Sequence, residues 1–163
     1  MNIIAAVNNK WGIGRGGKTI YHIPQDMSFF KQKTMGKVIV MGRKTFESLP
    51  GNHILPGRKS IVLSRDLCFN PRETEVFSSV DELLKRLETE NDSDIFVIGG
   101  GEIYSALLPY CNKAYITKVE DNSPADVFMP DLDKDPNWEA VSRTREFIGN
   151  EYSFSFVTYE RKK

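Results

Sequence analysis

The sequence predicts an α/β fold with a largely parallel open sheet. Short apolar runs rich in Ile, Val and Phe alternate with stretches of helical periodicity. The early runs are almost continuously apolar, as expected of strands covered by helices on both faces. At 163 residues the chain has the length of one domain and can bury a core without disulfide or metal staples.

The elements follow in order. Strands are predicted at residues 2–7, 38–41, 60–63, 75–77, 94–98 and 114–119, each an apolar run bounded by turn-forming or charged residues. Two more, at 138–144 and 152–160, flank a Gly149-Asn150 turn and are expected to pair as an antiparallel hairpin. The first helix opens at Pro24-Gln25-Asp26 and runs through Lys33, with Met27, Phe30 and Thr34 on one face. A short one spans 43–49. Ser79-Val80-Asp81-Glu82 has the capping-box pattern ahead of Leu83, Leu84 and Leu87. A fourth spans 102–108 and stops before Pro109. Residues 88–94 read as a polar surface loop.

Composition narrows the function. Lys plus Arg and Asp plus Glu each number 22, so the net charge is zero and nothing favours nucleic acid or an anionic membrane surface. No apolar run is long enough to span a bilayer, and the N-terminal one is too short for a signal peptide. Cys68 and Cys111 belong to no metal-binding pattern and are expected to be free thiols of a cytoplasmic protein.

Three junctions carry possible chemistry. At Ile98-Gly99-Gly100-Gly101-Glu102 a buried strand meets three glycines and then a helix. Such a turn either meets a purely conformational need or lets backbone N–H groups approach a phosphate; it is not the GxGxxG fingerprint. Gly42-Arg43-Lys44-Thr45 repeats the architecture with two cations, and Ser64-Arg65 follows a third strand. Cations at neighbouring strand ends, with no evident acidic ribose clamp, favour NADP over NAD. Of the acids, Asp26 sits in a first helical turn beside Met27 and Phe30. Either it answers the charge preference of a helix N-terminus, or it faces an apolar pocket and binds a cationic, amidine-like edge. His22 and His53 fall in loops.

Taken in order, these segments resemble dihydrofolate reductases. The resemblance rests on Ile4-Ala5-Ala6-Val7 with Trp11-Gly12-Ile13-Gly14, and on Ile23-Pro24-Gln25-Asp26-Met27-Ser28-Phe29-Phe30-Lys31. It continues through Val40-Met41-Gly42-Arg43-Lys44-Thr45-Phe46-Glu47-Ser48, Leu55-Pro56-Gly57-Arg58 and Val97-Ile98-Gly99-Gly100-Gly101-Glu102-Ile103-Tyr104. Tyr115-Ile116-Thr117, Asp126-Val127-Phe128-Met129-Pro130 and the aromatic last strand complete it, over essentially the whole chain.

The resemblance implies one domain with an eight-stranded, mostly parallel sheet, four flanking helices and an antiparallel C-terminal hairpin. It implies hydride transfer from NADPH to C6 of 7,8-dihydrofolate with protonation at N5, giving tetrahydrofolate for one-carbon metabolism. A monomer sensitive to antifolates is expected. The Gly99–Gly100 peptide should be cis. Gly99, Gly100, Gly101, Glu102, Ile103 and Tyr104 would line the pyrophosphate and nicotinamide side. Gly42, Arg43, Lys44 and Thr45 would hold phosphates, with Arg43 nearest the 2′-phosphate. Leu63, Ser64 and Arg65 would meet the adenosine end, and Ala6, Ile13, Gly14 and Ile98 the nicotinamide.

For the substrate, the resemblance sets Asp26 against the pterin 2-amino group and N3, with Thr117 hydrogen-bonded behind it. Ile4, Ala5, Met27, Phe30, Leu49, Leu55 and Ile98 would wall the pterin, and Arg58 would pair with the α-carboxylate of the tail. In the family's geometry the acid lies too far from N5 to protonate it directly, so water carries the proton.

Three departures stand out. Ile20-Tyr21 occupies the place of the family's Pro-Trp; Tyr21 is assigned to the catalytic set, where it either orders a water through its hydroxyl or leaves the site wetter. The loop 14–19 carries Gly14, Gly16 and Gly17 and is expected to be mobile without ligand. Pro50-Gly51-Asn52-His53 lengthens the approach to Arg58. Competing readings are a riboflavin-pathway pyrimidine reductase of the same fold, which needs neither Asp26 nor Arg58, and an inactive nucleotide-binding homologue.

Overall fold

The computed structural model describes residues 1–51 and 54–163. Asn52 and His53, part of the expected lengthening before Leu55, lie outside the described residues. All eight predicted strands form, with ends shifted by a residue or two. They are β1 (Asn2–Val7), β4 (Val38–Gly42), β5 (Lys59–Leu63), β6 (Thr74–Phe77), β7 (Ile95–Gly99), β8 (Lys113–Val119), β10 (Trp138–Arg143) and β12 (Tyr152–Arg161). Short strands β2 (Gly12–Arg15), β3 (Lys18–Thr19), β9 (Val127–Phe128) and β11 (Phe147–Gly149) lie between them.

The large sheet has the order β10-β12-β8-β1-β7-β4-β5-β6, with β11 also paired to β12. Every pairing from β8 to β6 is parallel, and β12 runs against its neighbours. The mixed sheet therefore has the mostly parallel character that the sequence predicted. Ile3, Val40, Ile61 and Val97 are fully buried, as strands sandwiched between helices require.

Four helices among the described residues cover the sheet: α1 (Pro24–Thr34), α2 (Arg43–Ser48), α3 (Val80–Leu87) and α4 (Gly101–Leu107). Pro24 starts α1 where its missing N–H costs nothing. At α3 half of the expected capping box forms. Ser79 Oγ accepts from the Glu82 N–H at 3.2 Å, but the Glu82 carboxylate reaches the N–H of Ser78 rather than that of Ser79.

The hairpin expectation needs refinement. The tight turn joins β11, not β10, to β12, and its central residues Asn150 and Glu151 both have positive φ, as a two-residue type I′ turn demands. β10 joins the outer edge of β12 across a bulge near Ala140. Residues 92–94 form a short 3-10 turn rather than the start of a strand.

The second sheet, β3-β2-β9, was not foreseen. It folds the segment after β1 into a hairpin whose turn is Gly16-Gly17, both with positive φ. Asp126 ties it down: its N–H donates to Gly14 O and its Oδ2 accepts from the Gly16 N–H, each at 2.9 Å. Strands this short carry too little periodicity to be read from sequence. No helix among the described residues is long and apolar enough to cross a membrane.

Candidate active site

The parallel strands bring their carboxyl ends to one edge, where ligands of open α/β sheets bind. Register places the junctions side by side. Gly42 pairs with Leu63, Met41 with Gly99, and Ala6 with Thr117.

The half expected to take the substrate is built around Asp26. Thr117 on β8 donates its hydroxyl to Asp26 Oδ1 at 2.5 Å, across 91 residues of sequence. Burial pushes the Asp26 carboxyl above the usual carboxylate range, and the Thr117 hydrogen bond opposes that rise only in part. Asp26 is thus neither a freely solvated cap nor a member of an ion pair among the described residues. Ile4 belongs to an apolar cluster against which Phe30, Leu49, Leu55 and Ile98 pack. Five of the seven expected wall residues therefore converge.

The other two expected wall residues fall outside that cluster. Ala5 packs against the larger core on β1. Met27, in the first turn of α1, is 58% exposed and outside the cluster that takes Phe30. Arg58 is half-buried and held on two sides. Its Nε donates to Pro56 O at 3.1 Å and its Nη1 to Thr34 Oγ1 at 3.2 Å, while Thr34 itself donates to Phe30 O. The guanidinium is thereby pre-oriented at the end of α1; burial lowers its pKa. Arg58 also lines a cleft of about 380 Å³ at the amino ends of β4 and β5, with Lys37, Lys59, Glu90 and Asp94.

The half expected to take the cofactor is built on glycine junctions. The Gly99–Gly100 peptide is cis, and Gly99 has φ of 125°, a conformation that side-chain-bearing residues rarely adopt. A methyl group on Gly42 would sit 2.9 Å from Ile103 Cγ1, so glycine there lets α4 close onto the end of β4. Thr45 faces the cis turn: a Cβ built on Gly99 or Gly100 would lie 3.5 or 3.6 Å from its Oγ1. The fully buried Tyr104 hydroxyl donates to Ile4 O at 2.8 Å, linking this half to the substrate wall. Burial and the nearby Asp26 carboxylate hold that phenol protonated, far above its ordinary range.

Arg43, Lys44, Arg65 and Glu102 are exposed at these junctions, and Ser64 is half-buried. Ile13, Leu63 and Ile103 pack on the large core beside them, and Gly14 is buried in β2. Exposed cations beside an open glycine backbone suit the phosphates of a dinucleotide. Among the described residues Lys44 and Arg65 form no ion pair, while Arg43 contacts Glu47 and Asp66.

Tyr21 is buried, and its hydroxyl donates to Asp121 Oδ2 at 2.6 Å while its ring meets Tyr152 edge-on. It packs with Ile23, Val119 and Phe154, against which Ala6 also rests. Its proton goes to Asp121, so the hydroxyl could meet a water only as an acceptor. His22 is exposed in a loop, and the described residues contain no cluster suited to a metal.

Sequence reasoning missed the partners of the site: Thr34 behind Arg58, Asp121 on Tyr21, and Glu47 and Asp66 on Arg43. Only Glu47 had a local signal, its i,i+4 spacing from Arg43.

Comparison with known proteins agrees with this geometry. The sequence profile described as dihydrofolate reductase matches residues 1–161. A dihydrofolate reductase of Mycobacterium leprae is 42% identical over 146 residues, covering 87% of this chain and 86% of the relative. One from Buchnera aphidicola subsp. Schizaphis graminum is 35% identical and covers 99% of both chains. A solved structure described as dihydrofolate reductase from Enterococcus faecalis complexed with NADP(H) and RAB-propyl superposes with a TM-score of 0.87. It is 32% identical, over 99% of this chain and 96% of that chain. With the profile matched over residues 1–161, and with both the Asp26–Thr117 pair and the cis Gly99–Gly100 turn in place, this chain belongs to the dihydrofolate reductase family.

Proposed function

We propose that this protein reduces 7,8-dihydrofolate to 5,6,7,8-tetrahydrofolate with NADPH, and that Asp26, Thr117 and Arg58 hold the substrate. The observation that carries the reading is the Asp26–Thr117 pair, a carboxylate with one hydroxyl donor at the edge of an apolar wall. Such a carboxylate accepts paired hydrogen bonds from an amino group and an adjacent ring N–H, which a pterin edge presents. A pyrimidine reductase of the same fold has no need of it.

NADPH, when bound, supplies the hydride. The chain's own part is alignment and electrostatics. Phe30, Leu49, Leu55 and Ile98 fix the plane of the pterin, and Arg58 anchors the far carboxylate in the orientation set by Thr34 and Pro56. Negative charge at Asp26 favours the protonated pterin, and water delivers the proton to N5. Lys44, Thr45, Ser64 and Arg65 receive the cofactor's phosphates, with Arg43 at the 2′-phosphate. The hairpin of β2 and β3 covers the nicotinamide and loosens when the site is empty.

The reading takes residues 1–163 as one domain acting as a monomer in the cytoplasm; the free thiols of Cys68 and Cys111 suit a reducing compartment. The direct test follows NADPH absorbance on adding dihydrofolate. Rapid, dihydrofolate-dependent loss that prefers NADPH to NADH is expected. Bound NADPH without turnover would move the weight to an inactive homologue.

A further inference from the structure

We propose that Asp66 is a specificity-determining residue that restrains the preference for NADPH over NADH by competing for Arg43. The inference rests on the reading that Arg43 meets the 2′-phosphate. Arg43 is held from two sides: Nε lies 3.4 Å from Glu47 Oε1, one turn along α2, and Nη1 lies 3.8 Å from Asp66 Oδ2. The Gly42–Leu63 pairing sets the ends of β4 and β5 side by side, so the turn after β5 faces the start of α2.

Asp66 is fixed there by its own turn. Its N–H donates to Ser64 Oγ at 3.1 Å, and its Oδ1 accepts from the Cys68 N–H at 2.9 Å. One carboxylate oxygen serves the backbone and the other is left facing Arg43. A nucleotide phosphate reaching Arg43 must displace that oxygen or accept a carboxylate nearby. Either costs affinity, and only the ligand bearing the 2′-phosphate meets the cost. Glu47 holds the opposite side of the guanidinium, through Nε, and stays in place when Asp66 is changed.

The test is Asp66→Asn in the whole protein. Asparagine keeps an Oδ1 to accept from Cys68, so the turn is retained while the charge is removed. Dissociation constants for NADPH and NADH, measured by calorimetry at low and high salt, give the answer. The NADPH constant should fall about three- to tenfold at low salt and by less at high salt, with NADH changed by less than about twofold. Equal changes for the two cofactors, or no change for NADPH, would overturn the proposal. Arg43→Ala separates this from the underlying reading. If it selectively weakens NADPH while Asp66→Asn does nothing, Asp66 alone is excluded. If it leaves the NADPH-to-NADH ratio unchanged, the 2′-phosphate reading fails, and the proposal with it.

Discussion

The two halves of the site lie along the same sheet edge but are built by opposite physics. On one side a single partly buried carboxylate, Asp26, is met by one hydroxyl, and Ile4, Phe30, Leu49 and Ile98 gather in an apolar cluster. Around Gly42 and Gly99, four charged side chains stand in solvent beside bare backbone. On the proposed reading the first half would recognise by shape and by the cost of an unpaired charge, the second by electrostatic attraction that salt can screen. Substitutions at Asp26 and the apolar wall should therefore act strongly and independently of salt, and those in the cofactor half more weakly and with salt dependence.

Asp26→Asn tests the contrast most severely. Turnover near neutral pH should fall about a hundredfold or more, read as kcat/KM. Stability should move the other way. Because burial raises the Asp26 pKa in the folded state, the folded chain binds more protons than the unfolded one between the ordinary carboxylate value and the raised one. Stability is lost as pH rises through that window. The variant lacks this loss, so its Tm at neutral pH should equal or exceed that of the parent. A lower Tm with intact turnover would remove Asp26 from both roles.

Arg58→Ala should raise the KM for dihydrofolate about tenfold or more, since a hydrogen bond to a charged group contributes about 1.5–3 kcal/mol. Its kcat should hold if binding alone is affected. On the cofactor side, raising the salt from low to moderate should weaken NADPH several-fold, by roughly the loss expected when the Debye length falls below 10 Å. An inhibitor that fills only the pterin pocket should bind equally well at both salts.

Two smaller effects sharpen the picture. Thr117→Val removes the one hydrogen bond that lowers the Asp26 pKa, so the acid limb of the pH–rate profile should move to higher pH. Tyr21→Phe leaves Asp121 without its phenol donor and should cost about 1 kcal/mol of stability. Its turnover should stay within a few-fold of the parent; a large loss of kcat at unchanged KM would return the Tyr21 hydroxyl to the catalytic set.

Legibility followed the same division. The cofactor junctions were readable because each is a local string, a buried strand followed by glycine or cation and then a helix, and such strings fold much the same way wherever they occur. The substrate half was readable mainly through family resemblance. Composition and periodicity left Asp26 open between helix-end charge and pocket carboxylate, since the deciding partner, Thr117, is 91 residues away. Met27 was legible only in part. Helical spacing put it on a face with Phe30, yet the fold buries Phe30 more deeply and leaves Met27 exposed.

The sequence by itself determined the parallel core, the places of the four helices and the glycine turns, because hydrophobic period, Pro24, Ser79 and glycine act within a few residues of themselves. Tertiary structure alone decided the strand order, the small β3-β2-β9 sheet, the commitment of Tyr21 to Asp121 and the bracing of Arg43 by Asp66. Each of these joins segments far apart in the chain, and such contacts depend on which surfaces the folded core brings together.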